Sequence, residues 1–168
     1  MIVSLTGFMG SGKSSVGAAL AALMNFRFID LDEYVREHEG LSVAELLAQG
    51  EERFRMAESV CLREILAKAD ENTVLALGGG TVAYGQNLQL ILSSTRCVYL
   101  QASLPVIGQR LAGQTAQRPL YNPETAPQLY ESRLKYYRQA EFTVDTDDLP
   151  PARVAELVSE LVTGKHTD

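Results

Sequence analysis

The chain lacks long hydrophobic runs: no apolar stretch approaches the roughly 18 residues that cross a bilayer as a helix, so no membrane span is expected. It opens on the strand-like MIVSL, without the basic region and cleavage site of a secretory leader, and a cytoplasmic protein is the expectation. Positive charge is also short. Against 21 Asp and Glu stand 15 Lys and Arg, a formal net charge of −6, and the basic residues cluster only in pairs and triplets diluted by carboxylates. A general nucleic-acid binder is therefore disfavoured. Cysteine is scarce: Cys61 and Cys97 are isolated, without metal-ligand spacing, and read as reduced structural thiols. His38 and His166 offer no evident chemistry. No repeat, low-complexity tract or linker divides the 168 residues, a length that suits one domain with its own core.

What is present is an alternation of two periodicities. Residues 2–5, 27–29, 73–77, 96–100 and 142–144 are short, apolar and β-branched, the pattern of buried strands. Helical spacing occupies 13–24, 31–39, 43–49, 51–68, 88–92, 105–111, 126–139 and 151–162. Ser42 followed by Glu45 fits a capping box, and Pro105 and Pro151 suit first helical turns. Strands and helices in alternation predict an α/β fold, a parallel sheet covered on both faces. Ligands of such sheets sit beyond the carboxyl ends of the strands, so the residues just after each strand are the ones to inspect. Residues 113–125, GQTAQRPLYNPET, read as a mobile lid between two helices, and 164–168 as a disordered tail.

The first strand runs into Gly7-Phe8-Met9-Gly10-Ser11-Gly12-Lys13-Ser14, which matches G-x-x-x-x-G-K-[ST] in the strand-loop-helix context that pattern needs. Glycines let successive backbone N–H groups curl around phosphate oxygens, and the dipole of the helix beginning near Lys13 favours the same negative charge. Lys13 would reach the β- and γ-phosphates and the Ser14 hydroxyl would meet Mg²⁺. The pattern calls for a nucleoside triphosphate but leaves the acceptor open. The N-K-x-D element of a GTPase is absent, and the size fits a small phosphotransferase better than a motor or transporter ATPase.

Other groups follow the strands. Asp30 and Asp32 in FIDLD would face the same way if the strand continued, one supporting the metal's water shell and the other taking a proton from an acceptor hydroxyl. Capping of the next helix is the alternative for either. Arg55 and Glu58 share one helix face, either as a surface pair or as a partly buried guanidinium suited to grip a carboxylate. Gly78, Gly79 and Gly80 follow the third strand. A tight turn needs one or two glycines, so three suggest a ligand against the backbone. Arg118 could swing over the triphosphate on lid closure, while Arg133 reads equally well as solvent-facing.

Taken together, GFMGSGKS, FIDLD, FR followed by E, GGG after the third strand, RPL in the lid and a late Arg-then-Tyr element resemble the shikimate kinase family, a branch of the nucleoside-monophosphate-kinase-like P-loop proteins, from residue 1 to about 162. The resemblance implies a three-layer P-loop kinase fold over 1–163, with a five-stranded parallel sheet, acting as a monomer. It implies transfer of the ATP γ-phosphoryl group to the 3-hydroxyl of shikimate with Mg²⁺, on the route to chorismate and aromatic amino acids. Carried onto this chain, Gly10, Ser11, Gly12, Lys13, Ser14 and Ser15 wrap the phosphates, with Ser14 on the metal and Asp30 assisting through water. Asp32 meets the acceptor hydroxyl, Arg55 and Arg133 hold the shikimate carboxylate, and Gly79, with Gly78 and Gly80 beside it, touches the substrate. Arg118 contacts ATP from the lid, and Arg110 and Pro151 flank adenine. The late element reads Arg133-Leu134-Lys135-Tyr136-Tyr137, where proline is common before the tyrosine, which leaves Arg138 as the alternative to Arg133. The competing readings are a gluconate-type kinase of the same fold and a nucleotide-binding regulatory protein without turnover.

Overall fold

Five parallel strands, β1 (Ile2–Thr6), β2 (Arg27–Asp30), β3 (Thr73–Ala76), β4 (Arg96–Gln101) and β5 (Phe142–Asp145), form one sheet in the order β2-β3-β1-β4-β5. The computed structural model describes residues 1–68, 72–112 and 120–165. Of the residues singled out above, Arg118, His166, segment 113–119 of the expected lid and 166–168 of the expected tail lie outside the described residues.

Period-two patterning divides the core. Val3, Leu5, Val74, Val98 and Leu100 point to one face, where they pack on α1 (Lys13–Met24) and α8 (Pro151–Thr163). Leu75, Cys97 and Tyr99 point to the other, under α2 (Leu31–Glu39), α3 (Val43–Ala48), α4 (Glu51–Lys68), α5 (Asn87–Ser94), α6 (Leu104–Leu111) and α7 (Ala126–Tyr137). Both faces are thus covered, as parallel sheets require.

Local signals set several helix starts. The Ser42 side chain accepts a 3.1 Å bond from the Glu45 N–H at the head of α3, and Pro105 and Pro151 lie in the first turns of α6 and α8. Gly12 precedes α1 at φ 95°, a conformation glycine adopts without a Cβ penalty, and no side chain caps that helix.

Departures from the sequence reading are local. The 3-10 turn at Thr81–Ala83 has no counterpart in the sequence pattern, and α5 begins one residue earlier than expected. Helix α7 stops at Tyr137 instead of 139, with Arg138 at its cap. Strand β3 ends at Ala76, although the Leu77 N–H still donates to the Leu5 carbonyl at 3.0 Å.

The register aligns the strand ends. Leu5 and Asp30 both lie beside Ala76, Thr6 lies beside Tyr99, and Gln101 beside Asp145. The segments after β1, β2, β3 and β5 therefore leave the sheet along one edge.

Candidate active site

That edge holds a cavity of about 430 Å³. Gly10, Ser11, Gly12, Lys13, Ser14 and Ser15 line it, with Asp30 and Asp32, Arg55, Gly78, Gly79 and Gly80, Arg110, Arg133 and Pro151. Residues far apart in the chain thus face one space.

At the centre, the Lys13 ammonium is buried and donates to the Gly7 and Phe8 carbonyls at 2.7 and 2.9 Å. Ser14 Oγ donates to Asp30 Oδ2 at 2.5 Å. Asp30 Oδ1 accepts from the Asp32 N–H at 3.0 Å and from the Glu33 N–H at 3.4 Å. One carboxylate therefore caps α2 and also holds the P-loop serine.

The two aspartates do not share a continuing strand, the geometry that would have aimed them alike. Strand β2 ends at Asp30 because its side chain starts a helix, and Asp32 lies in the first turn of α2. Both still face the cavity. Asp32 Oδ1 comes within 3.4 Å of the position a Cβ on Gly78 would occupy, which sets it over the glycine triplet.

The triplet forms the floor of a cationic end. Arg55 and Arg133 are 6% and 7% exposed, so neither is a solvated surface arginine. A Cβ on Gly80 would collide with Arg55 Nη2 and lie 2.8 Å from Arg133 Nη2: only glycine lets both guanidiniums meet there. Glu58, fully buried, accepts from Arg55 Nη1 at 2.9 Å through Oε1 and from the Thr81 hydroxyl at 2.9 Å through Oε2. Glu51 reaches Arg55 only at 3.9 Å from the exposed surface. Among the described residues no carboxylate pairs with Arg133, whose guanidinium lies 5.8 Å from the Phe8 ring centroid. Among the described residues, Arg55 thus has a buried carboxylate partner in Glu58 and Arg133 has none, which leaves the second guanidinium suited to an anionic ligand.

At the opposite end, Arg110 bridges the P-loop to the segment after β5. Its Nη1 donates to the Gly10 carbonyl at 3.1 Å and to Thr146 Oγ1 at 3.3 Å, and its Nη2 to the Thr146 carbonyl at 3.0 Å. Leu149, Pro151 and Val154 add an apolar wall beside it. Such a slot suits the flat, largely apolar faces of a nucleobase.

Arg138 is exposed and does not line the cavity. Cys61 and Cys97 are free and buried away from it, and burial pushes both thiols up to about 11, so neither is a thiolate near neutral pH. The sequence reading missed Thr146 and Leu149 as cavity residues, although they follow β5 as closely as the glycines follow β3. It also missed Tyr137, whose hydroxyl donates to the Gly79 carbonyl at 2.5 Å.

Comparison with known proteins gives a consistent picture. The profile of the shikimate kinase family matches residues 9–163. A shikimate kinase from Thermodesulfovibrio yellowstonii is 37% identical over 161 residues, covering 93% of this chain and 91% of that protein. One from Thermus thermophilus is 39% identical over 165 residues, covering 95% of this chain and 87% of that protein. The solved structure of Acinetobacter baumannii shikimate kinase in complex with shikimate superposes with a TM-score of 0.89 at 28% identity, covering 99% of this chain and 95% of that one.

Proposed function

The chain belongs to the shikimate kinase family, and from that premise we propose that its cavity transfers the γ-phosphoryl group of ATP to the 3-hydroxyl of shikimate, releasing ADP and shikimate 3-phosphate. One observation carries the reading: a phosphate cradle and two buried arginines, one of them without a carboxylate partner among the described residues, open into the same cavity. Shikimate is a ring carrying hydroxyls and a single carboxylate. Its carboxylate can pair with the Arg133 guanidinium while a hydroxyl is offered to the triphosphate.

The residues then take distinct tasks. Backbone N–H groups of the P-loop and the head of α1 receive the phosphates, and Lys13 exchanges its two carbonyls for phosphate oxygens. The base lies between Arg110 and the Leu149, Pro151 and Val154 wall. Arg55 and Arg133 hold the carboxylate, with Glu58 keeping Arg55 in place. Asp32 faces the acceptor hydroxyl and takes its proton as the oxygen bonds to γ-phosphorus and the bond to the β–γ bridging oxygen breaks. Arg118, outside the described residues, is assigned to the lid, where closure would exclude water as a competing acceptor.

A divalent cation fits the donors at the P-loop. Ser14 and Asp30 present hydroxyl and carboxylate oxygens side by side, the hard ligands Mg²⁺ takes, and these two residues would hold it. When bound, Mg²⁺ would supply charge neutralisation on the phosphates. We assign the protein to the cytosol and to a monomeric state. Light scattering that returned twice the chain mass would contradict the latter.

The direct test is ADP release followed with shikimate, gluconate or no acceptor. Release should depend on shikimate; a faster rate with gluconate would favour the sugar-acid alternative, and binding of ATP and shikimate without turnover a regulatory role. Arg55→Ala should raise the shikimate KM about tenfold to a hundredfold, the range of a lost charge-assisted hydrogen bond, with the ATP KM little moved. An unchanged shikimate KM would contradict the clamp. Gly80→Ala should do the same by a different route, since its methyl must displace both guanidiniums. Isothermal titration with shikimate would detect it as at least about a tenfold weaker Kd.

A further inference from the structure

The clamp needs more than two arginines, because they belong to different helices. Arg55 sits on α4 and Arg133 on α7, and both must converge over a turn that belongs to neither. Arg55 is tied to that turn through Glu58 and the Thr81 hydroxyl. Arg133 has no equivalent carboxylate among the described residues, so some other contact must fix α7 against the turn.

Tyr137 makes it. It lies four residues after Arg133, on the same face of α7, and is completely buried. Its ring stacks on Tyr99 of β4, with centroids 5.1 Å apart and planes 24° from parallel, which anchors it to the sheet. Its hydroxyl donates to the Gly79 carbonyl at 2.5 Å. Arg133 Nη1 lies within 3.4 Å of where a Cβ on Gly79 would stand, so phenol and guanidinium converge on one glycine. Burial pushes the phenol up to about 12, against the pull of the Arg133 and Arg55 guanidiniums, and it remains a donor across the neutral range.

We propose that Tyr137 is a positioning residue for acceptor binding: its hydroxyl, fixed on the Gly79 carbonyl, sets the separation between α7, which carries Arg133, and the glycine triplet. This rests on the reading of the cationic end as the carboxylate clamp. Tyr137 does not itself line the cavity. It acts by holding the second arginine and the Gly79 backbone in one frame, so that an incoming carboxylate finds both guanidiniums already aimed.

Tyr137→Phe removes the oxygen and keeps the stacked ring. Initial-rate kinetics should give a shikimate KM raised about tenfold, an ATP KM within about twofold of the parent and a smaller change in kcat. Tyr99→Phe is the control, since it removes a hydroxyl from the other ring of the stack that bonds to no cavity residue, and should leave both constants within about twofold. A shikimate KM raised less than about threefold in Tyr137→Phe, or an equal rise in Tyr99→Phe, would overturn the proposal. Arg133→Ala, measured alongside, separates two kinds of failure. A raised shikimate KM there with none in Tyr137→Phe rejects the tyrosine's role alone, whereas an unchanged value rejects the clamp and this proposal with it.

Discussion

Lys13→Ala is expected to lower kcat by at least about a hundredfold, the lower end of what one preorganised charge on a developing transition state contributes. The ammonium is not a mobile surface group: it is buried, and the Gly7 and Phe8 carbonyls hold it inside the loop that would wrap the phosphates. A nucleotide would draw it from those carbonyls toward an anion, with little reordering of its chain. Alanine leaves those carbonyls to water and leaves the β- and γ-oxygens without their cation as negative charge shifts onto the leaving diphosphate. Shikimate-dependent ADP release measures the loss, and shikimate affinity by calorimetry should be nearly unchanged because the clamp is untouched. Turnover within about tenfold of the parent would contradict the role given to Lys13.

Asp32→Asn should cost at least about a hundredfold in kcat as well, for a separate reason. The substitution preserves shape and the capability to hydrogen-bond a hydroxyl, but an amide cannot take the proton that the attacking oxygen must shed. The position over Gly78 is maintained by the first turn of α2, itself started by Asp30, so the variant should fold with the cavity intact. Rapid-quench measurement of a single turnover should show the phosphoryl-transfer step slowed, with shikimate KM moved only severalfold. A near-parental single-turnover rate would mean that Asp32 only orients the hydroxyl. Asp30→Asn has a different signature, since it disturbs Ser14 and the cap of α2 together.

The sheet and the P-loop were legible because their signals are local: β-branched runs, a fixed glycine spacing and a lysine that must follow it. The placement of Asp30 and Asp32 was legible only in part. Two carboxylates after a strand marked the place, but a capping side chain competes with strand continuation for the same residue, and here capping prevailed. Arg55 and Arg133 were harder still. Spacing cannot say whether an arginine on an amphipathic helix faces water, and the deciding facts are the burial of Glu58 beside one of them and the lack of a side chain at Gly80 beneath both. Those facts belong to packing between α4, α7 and the segment after β3, elements dozens of residues apart in the chain. Tyr137 was hidden for the same reason, since a tyrosine at the end of a helix reads as core until its hydroxyl is seen on the Gly79 carbonyl.

The order of the sheet has a consequence for synthesis. Strand β1 is flanked by β3 and β4, which are made after it. The apolar wall of the cavity is later still, because Pro151 and Val154 belong to the helix that lies over α1. At about 5–20 residues per second, the nascent P-loop waits several seconds for the cavity residues of α7 and α8. The apolar first strand is fully covered only once its sheet neighbours and α8 have joined α1 around it.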